Sequence, residues 1–212
     1  GKSTLARAMI GLNHVSSGQV AYDGAVLTQE PTKTLPHVRS EVAMVFQDPF
    51  NALNPRQTVR NILEEVLQTQ GQTPKARIQP RAEELLTLVG LDPSFADRLP
   101  RSLSGGQCQR VGIARALAVD PKVVIADECV AALDVTIQAQ IFDLIRAIQR
   151  RRHLTVIFIT HDLGAIAQMS ERVLVMQKGK IVEQGATEAI FNHTQHDYTR
   201  QLIKAIPSSA KP

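Results

Sequence analysis

The chain has 212 residues, 43% of them apolar and 21% charged, with a formal net charge of +4. That composition supports a packed core and excludes a disordered chain, and no apolar run nears the ~18 residues of a membrane-spanning helix. Cys108 and Cys129 make neither a disulfide framework nor a CxxC metal pair, and no charged and then apolar leader is present, so the chain is expected to be soluble and cytoplasmic.

The first residues, "GKSTLARAMIGL", begin with Gly1, Lys2, Ser3 and Thr4. These match the second half of the phosphate-binding pattern G-x-x-x-x-G-K-[ST]. In that pattern backbone N–H groups wrap phosphates, the lysine reaches the β- and γ-phosphates, and the hydroxyl holds Mg²⁺. The same tetrapeptide also suits a capped helix start, and both readings stand at this point. In the helix that follows, Leu5, Met9 and Leu12 are expected on one face, with Gly11 as the stop.

"SGQVAYDGAVL" (17–27) alternates around Asp23-Gly24 and predicts a hairpin. "EVAMVFQ" (41–47) predicts a short buried strand. Residues 58–89 predict two helices: one carries Leu63, Val66 and Leu67 on a face, the other Leu85, Leu86, Leu88 and Val89, and Gly71–Pro74 separates them. A third helix is expected from about Gly105 to Val119, ended by Asp120-Pro121. "KVVIADE" (122–128) is a β-branched run that delivers two carboxylates. An amphipathic helix bearing Ile137, Ile141, Leu144, Ile145 and Ile148 follows, and the basic run Arg150, Arg151 and Arg152 falls at its end, where cations complement the helix dipole. "LTVIFITHD" (154–162) predicts another buried strand, and "RVLVMQKGKIVEQG" (172–185) a hairpin around Lys178-Gly179. Strands alternating with helices imply an α/β fold with a parallel sheet, and the helix-only block interrupts it as an insertion.

Two stretches carry chemistry. A buried strand ending in Asp127 and Glu128 places carboxylates where open α/β sheets bind ligands, although a strand running into an acidic helix cap has the same sequence. "LSGGQ", Leu103, Ser104, Gly105, Gly106 and Gln107, is more specific. Its glycines are expected to let backbone approach a ligand, and Ser104 to cap a helix whose N-terminus attracts anions. Cys108 in that first turn is open to a lowered thiol pKa, though packing is the favoured reading.

With "GKST", "LSGGQ" and "ADE" in this order along the chain, the sequence resembles the ATP-binding cassette (ABC) ATPases. The resemblance extends to Gln47 in "MVFQDP" (the Q-loop), Asp134 in "AALD" (the D-loop) and His161 in "FITHD" (the switch histidine). "VFQDPFNALNPRQTV", "DECVAALDVTIQAQI" and the tail "HDYTRQLIKAIP" resemble the oligopeptide, dipeptide and nickel importer branch. Cys129 stands where many relatives have proline, Ala131 where a serine is usual, and Cys108 where Arg or Gln is common. None of these removes a charge that the chemistry needs. The cysteine cluster that some peptide-importer ATPases carry is absent, so no iron–sulfur centre is expected.

What the resemblance implies is a single ABC ATPase domain over 1–212, with a P-loop NTPase (RecA-like) core, a helical subdomain at about 48–120 and antiparallel β elements. It further implies that Gly1, Lys2, Ser3, Thr4, Gln47, Asp127, Glu128 and His161 bind ATP. Ser3, Gln47 and Asp127 would hold Mg²⁺, while Glu128, Gln47 and His161 serve hydrolysis, with Glu128 aligning the water. Leu103–Gln107 and Asp134 would complete the site across a dimer with a second ABC ATPase subunit, identical or not. Two membrane permease subunits and, indirectly, an extracytoplasmic solute-binding protein are the other implied partners. The place implied is the cytoplasmic face of the plasma membrane. A soluble ABC ATPase of DNA repair or translation, nickel rather than peptide uptake, and a non-enzymatic binding remnant are the alternatives. No basic-aromatic stripe suggests nucleic-acid binding. The half-pattern at Gly1 leads to the expectation that the parent chain extends upstream and that these residues alone bind ATP poorly.

Overall fold

A computed structural model of the chain describes residues 1–28, 38 and 40–206. Pro207, the last residue of the importer-like tail, lies outside them. The β-branched runs form one parallel sheet in which β3 (Val42–Val45), β4 (Val123–Asp127) and β5 (Thr155–Ile159) lie in that order. Val42 pairs with Val123 and Val123 with Thr155, so the three strands point the same way and their C-terminal ends share one edge. β4, the middle strand, is buried from Val124 to Asp127. β5 was expected to be buried but is only partly so, because one of its edges is open to a cleft. That cleft, about 320 Å³, lies between β5, the helix α1 (Lys2–Met9) and the strand β6 (Arg172–Gln177), with Leu5, Met9, Ile157, Ile159 and Leu174 on its walls.

The opening helix is shorter than its sequence suggests. It ends at Met9, Gly11 adopts φ 71°, and Leu12 folds back so that its N–H donates to the Arg7 carbonyl at 2.8 Å. Leu5 and Leu12 are exposed, and Ala6 is the side chain that packs beneath β3 and β4 with Met44 and Ile125.

Asp23 and Gly24, both at positive φ, make the turn between β1 (Ala21–Tyr22) and β2 (Ala25–Val26). Lys178 and Gly179, likewise at positive φ, join β6 to β7 (Lys180–Ala186), with a register shift at Val175/Met176. Between β3 and β4 the chain is helical. α2 (Pro49–Ala52) is capped by Asp48, α3 (Val59–Gln70) starts at Thr58 and stops at left-handed Gly71, α4 (Ile78–Leu88) follows, and α5 (Gly105–Leu117) begins at Ser104. Leu63, Leu67, Leu85, Leu86 and Val89 are at most 1% exposed, so the predicted faces meet one another. They share a continuous core with Ile141, Ile145 and Ile148 of α6 (Val135–Arg152), which ends on its three arginines and left-handed His153. α7 (Leu163–Met169) leads into β6. α8 (Thr187–His193) and α9 (Asp197–Lys204) close the described chain.

Candidate functional site

The site assembles at the C-terminal edge of the parallel sheet. β4 delivers Asp127 there, 2% exposed, and Glu128 just beyond. Glu128 has φ 44°, a left-handed conformation that costs a non-glycine residue about 1–3 kcal/mol and persists only where its surroundings over-determine it. Two bonds do so: its N–H donates to the Ile159 carbonyl of β5 at 2.8 Å, and its carbonyl accepts from Ala131 N–H at 3.1 Å. Neither carboxylate caps a helix; Asp134 does that for α6, accepting from Ile137 N–H at 3.0 Å.

Side chains from three other segments converge on these carboxylates. Ser3 Oγ donates to Asp127 Oδ1 at 2.9 Å. Lys2 Nζ stands 3.9 Å from Glu128 Oε1, and His161 Nδ1, at the end of β5, lies 3.6 Å from the same oxygen. Gln47, two residues past β3, donates through Nε2 to Glu128 Oε2 at 3.0 Å. Thr4 lies at the rim, where its carbonyl accepts from Asn13 Nδ2 at 3.3 Å, and Gly1 is the exposed N-cap of α1. The first turn of α1 therefore presents unpaired helical N–H groups and a lysine beside a carboxylate pair, a setting suited to an anion with a cation next to it.

A cation has a fitting donor set. Ser3 and Asp127 offer hard oxygens side by side, and Gln47 adds an amide oxygen nearby. Among the described residues no three or more His, Cys, Asp or Glu side chains gather into a closed metal cage. Hard oxygens such as those of Ser3, Asp127 and Gln47 are the donors Mg²⁺ takes, with waters and substrate phosphates filling the rest of its shell.

The predicted residues Leu103–Gln107 and Asp134 form a second group. Ser104 and Gln107 make a reciprocal capping box, Ser104 Oγ accepting from Gln107 N–H at 3.3 Å and Gln107 Oε1 accepting from Ser104 N–H at 3.0 Å. Among the described residues no hydrogen bond or ion pair joins this group to the carboxylate cluster. The two glycines also face the protein's own chain closely. A Cβ on Gly105 would come within 3.2 Å of Leu133 Cδ2, and one on Gly106 within 2.6 Å of Ile137 Cγ2. The close approach they permit is to the protein's own chain. The run of two glycines in a helix's first turn was the available sign of such packing.

Cys108 is fully buried, its Sγ 3.3 Å from the Pro100 carbonyl. Burial pushes its thiol up to about 11, against the lowering that its helix position suggested. Sequence reasoning also passed over Arg110 and Arg115. Arg110 Nη1 donates to the Val89 carbonyl at 2.7 Å and Nη2 to Gln140 Oε1 at 3.4 Å, while Arg115 Nη1 donates to the Ala52 carbonyl.

A sequence profile of the family described as "ABC transporter" matches residues 1–131. The oligopeptide transport ATP-binding protein OppF of Haemophilus influenzae is 43% identical over 208 residues, 98% of this chain and 63% of that protein. OppF of Escherichia coli is 45% identical over 208 residues, 98% of this chain and 62% of its own length. The dipeptide transport ATP-binding protein DppF of Lactococcus lactis subsp. cremoris is 46% identical over 211 residues, 98% of this chain and 68% of its length. The chain thus spans somewhat under two thirds of the two OppF proteins. Among solved structures, the dimeric, post-hydrolysis ATP-binding cassette MJ0796 bound to ADP and Pi superposes with a TM-score of 0.77. It has 31% sequence identity to this chain, and the match covers 88% of this chain and 81% of that one.

Proposed function

The chain belongs to the ABC transporter family, and on that footing we propose that it is the ATP-hydrolysing subunit of an importer for oligopeptides or dipeptides. The observation that carries this reading is the convergence of Lys2, Ser3, Gln47 and His161 on the Asp127–Glu128 pair. The names of its relatives, oligopeptide and dipeptide transport ATP-binding proteins, support the peptide assignment.

In this reading the nucleotide's phosphates lie against the first turn of α1, where Gly1, Lys2, Ser3 and Thr4 supply N–H groups and the Lys2 ammonium. Ser3, Gln47 and Asp127 would hold Mg²⁺, which neutralises phosphate charge when bound. Lys2 now faces Glu128 across 3.9 Å. Phosphates take over as its counter-charge, and the Glu128 carboxylate is then free to orient the attacking water. His161, 67% exposed beside the same carboxylate, would hydrogen-bond the terminal phosphate. Catalysis here is positioning and charge stabilisation, with no covalent intermediate on the protein. The helical insert around Gln47 to Val89 would dock on membrane permease subunits at the cytoplasmic face, and a solute-binding protein would deliver the peptide from the other side. Leu103–Gln107 and Asp134 would face the nucleotide of a partner ATPase subunit.

The test uses the full-length subunit assembled with its membrane partners in vesicles. Phosphate release should depend on ATP and Mg²⁺ and rise with peptide, and labelled peptide should enter the vesicles where Ni²⁺ does not. Glu128→Gln should cut phosphate release by about 100-fold or more, since it deletes the charge that aligns the water, while ATP binding persists. Normal turnover in that variant would overturn the assignment.

A further inference from the structure

Helix α5, which follows the Leu103–Gln107 loop, and helix α6, which follows Asp134, touch at their first turns through an unusually close contact. The Cβ position of Gly106 points at Ile137 Cγ2, only 2.6 Å away, and that of Gly105 at Leu133 Cδ2. Neither glycine has a positive φ, so backbone freedom is not the reason for glycine here. Ile137 cannot swing aside: a β-branched side chain in a helix has one strongly preferred χ1 rotamer. Its backbone is fixed as well, because Ile137 N–H donates to Asp134 Oδ1 at 3.0 Å. One turn further along α5, Arg110 reaches Gln140 on α6 with Nη2 and the Val89 carbonyl at the end of α4 with Nη1. The two helices are thus held at two successive levels, and the upper level is continuous with Asp134.

We infer that Ile137, seated on Gly106, is a positioning residue that fixes the Leu103–Gln107 loop relative to Asp134, with the Arg110–Gln140 bond as its second anchor. The inference rests on the proposed hydrolytic function, and it gives Gly106 a role distinct from ligand approach. Glycine is needed there because Ile137 fills the space a side chain would take. A methyl on Gly106 pushes on Ile137, the push passes to Asp134, and the loop and the aspartate move out of register with the nucleotide of the facing subunit. Displacements of about 1 Å in such groups cost up to about 100-fold in rate.

The decisive experiment is a double-mutant cycle on the full-length subunit in its transporter complex, following kcat and KM for ATP. Gly106→Ala alone should lower kcat by about 10- to 100-fold and leave KM within about twofold. Ile137→Leu keeps the side-chain volume but removes the branch at Cβ. In the Ile137→Leu background, adding Gly106→Ala should cost less than about threefold. If Gly106→Ala costs the same in both backgrounds, the glycine serves the ligand and the inference falls. Should Gly106→Ala alone fail to fold, Ile137→Ala provides the readout: kcat should fall several-fold at unchanged KM, and an unchanged kcat would overturn the positioning role. A wild-type complex that releases no phosphate from ATP condemns the proposed function itself, which separates that failure from this one.

Discussion

At Asp127 one hydroxyl carries much of the burden of burying a charge. The carboxylate is 2% exposed and accepts from Ser3 Oγ at 2.9 Å. Removing one donor from a buried acceptor costs about 1–3 kcal/mol. Ser3→Ala should therefore lower stability in a urea titration by about that amount, and it should remove Mg²⁺-dependent turnover as well. A stability change indistinguishable from zero would show that Asp127 does not depend on Ser3. The thiols give a second residue-scale test. Burial pushes Cys108 up to about 11 and Cys129 up to about 12, so both are neutral in the folded chain at pH 8. Because these values are raised, the stabilisation they reflect is complete below the unfolded thiol value of about 8.5 and is lost as pH climbs through about 11. A thiol reagent at pH 8 should label both cysteines only at the rate of global unfolding, and fast labelling of the native protein would contradict the buried environment. Gly-Lys-Ser-Thr and Asp-Glu each also suit a helix cap, so it was their ordered resemblance to a known family, together with LSGGQ, that singled out the residues that converge here. The pairings among them were not legible in sequence. That Gln47 would hold Glu128, or that Glu128 would sit at positive φ, follows from how β3, β4 and β5 align, and no local pattern encodes it.

Among the elements, the C-terminal helices show a polar device that periodicity does not reveal. The hairpin β6–β7 was visible around Lys178-Gly179, but no local pattern singles out Glu183 on its second strand. Glu183 accepts from Thr194 Oγ1 at 2.8 Å and from Gln195 N–H at 2.7 Å, two of the three residues that link α8 to α9. Burial would raise its carboxyl. The hydroxyls of Thr199 and Thr194 and the N–H groups of Gln195 and His196 outweigh that and hold it at about 2. Thr199 Oγ1 is buried and, among the described residues, closes no hydrogen bond, so its share in holding Glu183 is weaker than that of the bonded groups. A lowered carboxyl stabilises above its unfolded value of about 4.3, and that contribution is lost as pH falls toward 2. Glu183→Gln should lower the Tm at pH 7 by about 2–6 °C and speed amide exchange over residues 194–204. The gap from wild type should narrow between pH 4 and pH 2, and a gap independent of pH would assign the effect to packing. The helical block was legible for the opposite reason: its Leu and Val spacing is apolar, periodic and local, so α3 and α4 could be read directly. The opening helix misled because the spacing of Leu5 and Leu12 imitates a core face, whereas both are exposed and Ala6 is the buried residue of α1.

For the whole molecule, the arrangement of the two clusters leads to a prediction about assembly. Lys2, Ser3, Gln47, Asp127, Glu128 and His161 gather at the edge of the parallel sheet, while Ser104 and Asp134 lie together at the start of α5 and α6. Among the described residues no hydrogen bond or ion pair joins the clusters. On the proposed function, a chain that needs both clusters would complete its site with the second cluster of another copy or a close relative, and two-fold symmetry would then make two such composite sites per dimer. The similar cassette MJ0796 is itself dimeric in its ADP- and Pi-bound structure. Two defective variants therefore test the proposed assembly. Lys2→Ala damages the first cluster; Ser104→Arg fills the exposed loop with a long cation and removes the cap of α5, damaging the second. Each variant alone has both composite sites broken. In a mixed dimer one site inherits both defects and the other inherits neither. If the sites act independently, an equimolar mixture with free subunit exchange forms mixed dimers half the time, and it should recover about a quarter of wild-type phosphate release. Recovery should rise in step with the fraction of mixed dimers measured by affinity-tag exchange. If mixed dimers form and activity stays at the level of the separate variants, each site is built within one chain, and the separation of the two clusters has no role in assembly.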